Sequence, residues 1–127
     1  ANDGVLMRPK FLDKVLSANG SIVETFPNEE YGQLLTKEEA DVLTELMVGV
    51  VNEGTATKLK SDQYQAAGKT GSAEYNGVKE DSHAWFTGFA PAEDPEIAVT
   101  IIIEGIGSGG DYAAPIAKRI FDAYFEQ

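Results

Sequence analysis

Residues 68–74 read Gly-Lys-Thr-Gly-Ser-Ala-Glu. Lys69, Thr70 and Gly71 set a cation, a hydroxyl and a bare backbone side by side. That grouping suits a carboxylate held at the edge of a sheet. A phosphate loop ends in the same Gly-Lys-Thr, but it needs a glycine at position 63 to build its cradle of backbone N–H groups. Gln63 stands there. The motif also reads as strand and not as a helix N-terminus, where an anion would be favoured. Nucleotide binding is therefore rejected. The glycines of Gly105 to Gly110 read as a flexible strand-to-helix turn.

Three strands must position these residues: Gln65 to Glu74 around the motif, His83 to Ala90, and Ile97 to Glu104. Asn76-Gly77 and the Pro91-to-Pro95 stretch supply turns, so an antiparallel order is expected. The third strand is apolar almost throughout, which predicts burial on both faces. Upstream, Phe11 to Leu16 and Ser21 to Phe26 form a hairpin about Asn19-Gly20. Residues 36–53 carry a helix, with Thr36 and Glu39 as a capping box and Gly54 as the stop. Its stripe of Val42, Leu43, Leu46, Met47, Val50 and Val51 is read as core packing. A last helix covers Asp111 to Phe125, with Pro115 in the first turn. Its stripe is Ala113, Ile116, Ala117, Ile120, Phe121 and Tyr124. The order is hairpin, helix, three strands, helix: an α+β fold with an antiparallel sheet flanked by helices.

Composition bounds the function classes. A chain of 127 residues is the size of one domain. Ten basic residues against 21 acidic ones give a net charge of −11, which disfavours nucleic acid and anionic lipid as partners. No cysteine is present, so disulfides and thiolate metal sites are excluded. No apolar run approaches the ~20 residues of a membrane span. The start shows no signal-peptide pattern, so any anchor or export signal is expected outside the given chain.

The Lys69-Thr70-Gly71 strand resembles the one found in penicillin-recognising serine enzymes. The likeness extends along the chain in order. Ala1-Asn2-Asp3-Gly4, running on to Arg8-Pro9, is similar to the segment ahead of the family's hairpin. Val50-Val51-Asn52-Glu53-Gly54-Thr55-Ala56 is similar to a helix end. His83-Ala84-Trp85-Phe86-Thr87-Gly88-Phe89-Ala90-Pro91 is similar to the strand after the motif in class B penicillin-binding proteins. Ala113-Ala114-Pro115-Ile116-Ala117 matches the start of the closing helix. The chain thus resembles the C-terminal portion of a penicillin-binding transpeptidase domain, an incomplete β-lactamase/transpeptidase-like fold spanning residues 1–127.

The resemblance implies roles. Lys69 would bring positive charge to the site and support proton transfer around a nucleophile. Thr70 and Ser72 hydroxyls would bind the carboxylate of a peptide or β-lactam. The Ser72 N–H would be one oxyanion donor, and Gly71 would let substrate approach the strand. No cofactor or metal is implied. His83, the single histidine, is read as structural. Trp85 and Phe86 face opposite sides of their strand and are read as packing.

The nucleophile is not in the chain. The family places it in Ser-x-x-Lys, and none of Ser17, Ser21, Ser61, Ser72, Ser82 or Ser108 has lysine three residues later. Ser17-Ala18-Asn19 fits the family's Ser-x-Asn motif literally, but it falls in the hairpin turn and is read as a decoy. Lys69 and Ser72 would lie on opposite faces of a strand, so they form no dyad. The expected parent is a D,D-transpeptidase at the extracytoplasmic face of a bacterial membrane. It would bind stem peptide and β-lactam once joined to the N-terminal half of its domain. The chain alone is expected to be inactive and prone to self-association. A carboxypeptidase, a β-lactamase, or a non-catalytic β-lactam sensor of the same fold are the rival readings.

Overall fold

The computed structural model describes residues 1–75, 77 and 81–126. Its elements are β1 (Val5–Met7), β2 (Lys14–Leu16), β3 (Ile22–Thr25), β4 (Glu30–Gln33), α1 (Lys37–Asn52), a 3-10 turn at Thr57–Leu59, β5 (Ala67–Ala73), β6 (His83–Ala90), β7 (Ile97–Ile103) and α2 (Ala113–Phe125). The fold is α+β, with a central antiparallel sheet ordered β5-β6-β7. The expected turn at Asn76-Gly77 falls partly outside the described residues: Gly77 adopts φ +68°, and Asn76 is not described.

The central sheet follows from local chemistry. β6 pairs with both neighbours in regular register, Thr70 opposite Phe86 and Phe86 opposite Ile101. Period-2 alternation then divides the sheet into two faces. One face carries Gly68, Thr70, Ser72, Ala84, Phe86, Val99 and Ile101. It meets Ala113, Ala114, Ala117 and Phe121 of α2, together with Val51, Leu59 and Tyr64, in a single core. The small residues of α2 let the helix lie close to the sheet, and Phe121 fills the space beyond them. Ile116, Ile120 and Tyr124, expected in the buried stripe, flank it and stay partly exposed.

Two expectations about burial fail: α2 covers one face of the sheet, and of the α1 residues only Ala40 and Val51 are buried. β7 is not buried on both sides. Its Ile97, Val99, Ile101 and Ile103 turn inward while Ile102 remains 48% exposed. Nor is the α1 stripe plain core. Val51 is buried and Val50 packs against the core, yet Val42 is 57% and Leu46 65% exposed. The N-terminus of α1 does match the sequence reading, whereas α2 begins at Ala113 and not at Asp111. Thr36 Oγ1 accepts from the Glu39 N–H at 3.2 Å, and Glu39 Oε2 accepts from the Thr36 N–H at 2.8 Å.

The hairpin forms about Gly20 at φ +84°, with the Ser17 N–H donating to Ser21 O at 2.9 Å. Its strands are shorter than expected because pairing ends at Lys14–Thr25. Phe11 and Leu12 lie outside it, fully and largely exposed. The Ser-x-Asn match is indeed turn chemistry: Asn19 Oδ1 accepts from Ser17 Oγ at 2.5 Å and from the Ser21 N–H at 3.1 Å. The β1–β4 ladder is not visible in the sequence, because Glu-Tyr-Gly-Gln carries no strand pattern. It is enforced from the side. Gly4 sits at φ +79°, where a Cβ would lie 2.2 Å from Leu35 O, and Gln33 Nε2 donates to Asp3 O at 2.7 Å and to Leu35 O.

At the far side of the core, Tyr64 donates its hydroxyl to Asp122 at 2.7 Å, and Lys118 Nζ meets the same oxygen at 2.5 Å. Burial, then the Asp122 contact, pushes the Tyr64 phenol above its usual range. The Lys118 hydrogen bond, partly opposed by burial, holds the Asp122 carboxyl below its ordinary value. A depressed folded pKa contributes stability above the unfolded value of about 3.9 and loses it as pH falls through the folded value. Asp122→Asn is therefore expected to flatten the loss of stability below about pH 4. Thermal melts of both proteins across that range test this; parallel pH profiles would show the pair to be thermodynamically silent.

Candidate functional site

The motif occupies β5, whose one side is taken by β6. Among the described residues no strand pairs with the other side. In an antiparallel ladder each residue directs its N–H and C=O to the same neighbour, and successive residues alternate. A Cβ on Gly88 would lie 2.4 Å from Ala67 O, and one on Gly68 would lie 3.2 Å from Thr87 O. Ala67, Lys69 and Gly71 therefore direct their backbone groups toward β6. Gly68, Thr70 and Ser72 direct theirs to the open edge. Lys69 Nζ reaches that edge and donates to Thr70 O at 2.6 Å. Among the described residues, no carboxylate lies within ion-pairing distance of this ammonium.

The side chains separate by parity. Lys69 and Gly71 share the sheet face not covered by α2 with Trp85, which is 38% exposed. Trp85 is thus surface on that open face, whereas Phe86 is fully buried packing. Thr70 and Ser72 point to the opposite, core-side face. Thr70 is only 8% exposed, and its Oγ1 lies 2.5 Å from Thr55 Oγ1. Ser72 Oγ accepts from the Gly109 N–H at 3.3 Å. The arrangement joins a cation, two hydroxyls and an outward N–H along one open strand edge, which is chemistry for an anionic, carbonyl-bearing ligand.

Two loops supply the partners that the sequence reading did not assign. Thr55 lies just beyond α1, in a stretch read only as the end of that helix. Gly109 lies in the stretch read only as a flexible turn. Gly109 rests on the sheet itself: a Cβ there would lie 2.2 Å from Trp85 O and 2.4 Å from Gly71 O. Gly110 in turn approaches Thr55, where a Cβ would lie 2.4 Å from the carbonyl oxygen. The glycine pair was the available signal for close backbone approach; nothing local marked Thr55. His83 has a structural setting at the end of β6. Its Nδ1 accepts from the Gly105 N–H at 3.1 Å, and its ring stacks on Tyr75 at 4.5 Å between centroids.

Comparison with known proteins gives a consistent family. The family model for the penicillin binding protein transpeptidase domain matches residues 1–122. The chain is 34% identical over 130 residues to peptidoglycan D,D-transpeptidase PbpA of Mycolicibacterium smegmatis, covering 97% of this chain and 26% of that protein. It is 33% identical over 135 residues to peptidoglycan D,D-transpeptidase MrdA of Acinetobacter baumannii, covering 96% of this chain and 20% of the relative. The D,D-transpeptidase domain of a peptidoglycan glycosyltransferase from Eggerthella lenta superposes with a TM-score of 0.86 at 35% identity, covering 99% of this chain and 29% of that one. A ceftriaxone acyl-enzyme of penicillin-binding protein A from M. tuberculosis gives 0.84 at 30% identity, covering 96% and 29%. The chain therefore spans roughly a quarter of the length of these relatives.

Proposed function

The chain belongs to the penicillin-binding-protein transpeptidase domain family, and from that premise we propose that it forms one wall of a D,D-transpeptidase site, as the C-terminal portion of that domain. The observation carrying this reading is the open edge of β5, where Lys69, Thr70, Gly71 and Ser72 stand within a fold shared with an acyl-enzyme structure.

The chemistry is acyl transfer to a serine. The serine oxygen attacks the carbonyl of a D-Ala-D-Ala stem peptide, the terminal D-Ala leaves, and the amine of a second stem takes the acyl group. Negative charge builds on the carbonyl oxygen during attack. An N–H already fixed at that position stabilises it without reorganisation, and one such donor is worth about 3–4 kcal/mol. The edge-directed Ser72 N–H takes this part. Lys69 supplies positive charge beside the nucleophile and helps its proton leave. The Thr70 and Ser72 hydroxyls hold the carboxylate, and Gly71 lets the peptide run alongside β5 as an added strand. The nucleophilic serine and its lysine belong to the part of the domain preceding this chain in the parent protein. The exposed apolar flank of α1 supports packing against such a body.

The parent works on the extracytoplasmic side of the cell membrane, where the stem peptides are. Among the described residues no helix is long and apolar enough to cross a membrane. Fluorescent penicillin tests the assignment directly. The full-length protein is expected to take the label covalently, and residues 1–127 alone are expected to take none. Labelling of the isolated chain would place a nucleophile within it and overturn the division of labour; no labelling of the full-length protein would overturn the family chemistry for this member.

A further inference from the structure

We infer that Thr55 is a positioning residue for the carboxylate-binding pair, acting as the donor that turns the Thr70 hydroxyl toward the bound anion. This rests on the transpeptidase reading and goes beyond it, because Thr55 belongs to a separate loop and meets the motif at the Thr70 hydroxyl. The argument is one of hydrogen count. A hydroxyl has a single proton and two acceptor positions. A carboxylate only accepts, so each hydroxyl that binds one must spend its proton on it.

For Ser72 the structure settles how that proton is kept available. Its oxygen accepts from the Gly109 N–H at 3.3 Å. A backbone N–H cannot accept in return, so the Ser72 proton stays unspent. Thr70 is different. Its partner at 2.5 Å is another hydroxyl, and either oxygen of the pair can be the donor. With no anion present the Thr70 proton can point at Thr55. With a carboxylate at the edge it must point outward, and Thr55 must then donate to Thr70 to keep the contact. The result is a chain from Thr55 O–H to Thr70 O–H to carboxylate, in which each bond polarises the next. The Gly110 backbone packed against the Thr55 carbonyl holds the donor in place.

The test uses the full-length protein with penicillin G as the free acid and as its methyl ester, measuring acylation rates for each. Thr55→Val is expected to slow acylation by the acid about five- to tenfold and to leave the ester rate unchanged, because the ester presents no full negative charge to Thr70. Thr55→Ser is expected to restore the acid rate. Equal slowing of acid and ester, or no slowing of either, overturns the inference. Should Thr55→Val fail to fold, Thr55→Ala is judged by the same acid-to-ester ratio. An unsubstituted protein that acylates with neither compound sinks the transpeptidase reading itself, a result distinct from an unsubstituted protein that acylates and a Thr55 variant that matches it.

Discussion

Lys69→Ala in the full-length protein is expected to slow acylation by penicillin about 100-fold or more, the scale on which a positioned proton-transfer group or preorganised charge contributes. The physical basis is the place of the ammonium. It stands at the open edge of β5, donating to Thr70 O at 2.6 Å, and among the described residues no carboxylate neutralises it. In a chain with 21 acidic and 10 basic residues, a cation left without an acidic partner leaves its charge available to a ligand. Two unit charges about 4 Å apart interact by roughly 4 kcal/mol near a protein surface, enough to carry an effect of this size. The comparison variant is Lys37→Ala. Lys37 spends its charge on Asp3 at 2.9 Å and Asp41 at 3.0 Å, far along the chain from the motif. Its loss should leave the acylation rate unchanged. Equal rates for Lys69→Ala and the unsubstituted protein would remove Lys69 from the site.

Gly109→Ala is the substitution expected to damage the fold most for its size. The added methyl would lie 2.2 Å from Trp85 O, 2.4 Å from Gly71 O and 3.0 Å from Gly71 N. These are backbone atoms within the β5–β6 ladder, so no flexible side chain can give way. Either the loop lifts from the sheet or the ladder bends. The expected cost is about 2–3 kcal/mol, read as a fall in Tm of roughly 6–15 °C. The lifted loop also takes its N–H from Ser72, so acylation should slow beyond what the lost stability explains. Gly49→Ala makes the contrast. Gly49 is in the exposed interior of α1 with nothing within 4 Å of its would-be Cβ. The same methyl should stabilise there, by up to about 1 kcal/mol. Melting both variants side by side distinguishes the local clash from a general intolerance of alanine; a Gly109→Ala protein as stable as the unsubstituted one would contradict the contact.

What could be read without the structure was what neighbours in sequence decide. The capping box at Thr36 and Glu39 needs only residues three apart, and it formed. The Asn19-Gly20 turn needs only a left-handed glycine, and it closed the hairpin. The alternation along β5 and β6 put Lys69 and Ser72 on opposite faces, as strand parity requires. The family resemblance assigned roles to these residues, but their parity alone already separated the lysine from the serine.

Burial and partnership were decided elsewhere. The α1 stripe and β7 are apolar enough to be core, but an apolar residue becomes buried only if another element covers it. α2 covers one face of the sheet, so Ile102 stays in contact with solvent, and no described element covers the flank of α1 that carries Val42 and Leu46. The β1–β4 ladder needed Gly4 and Gln33 to meet across almost thirty residues, and no periodicity announces such a meeting. The site shows the same division. Its lysine, hydroxyls and glycine stand in immediate succession, so the strand alone brought them together. Their partners, Thr55 and Gly109, come from loops on either side of the sheet strands in sequence. A hydrogen bond joins atoms close in space, and only the packing of α1 against β5 and of α2 against β6 and β7 made these atoms neighbours.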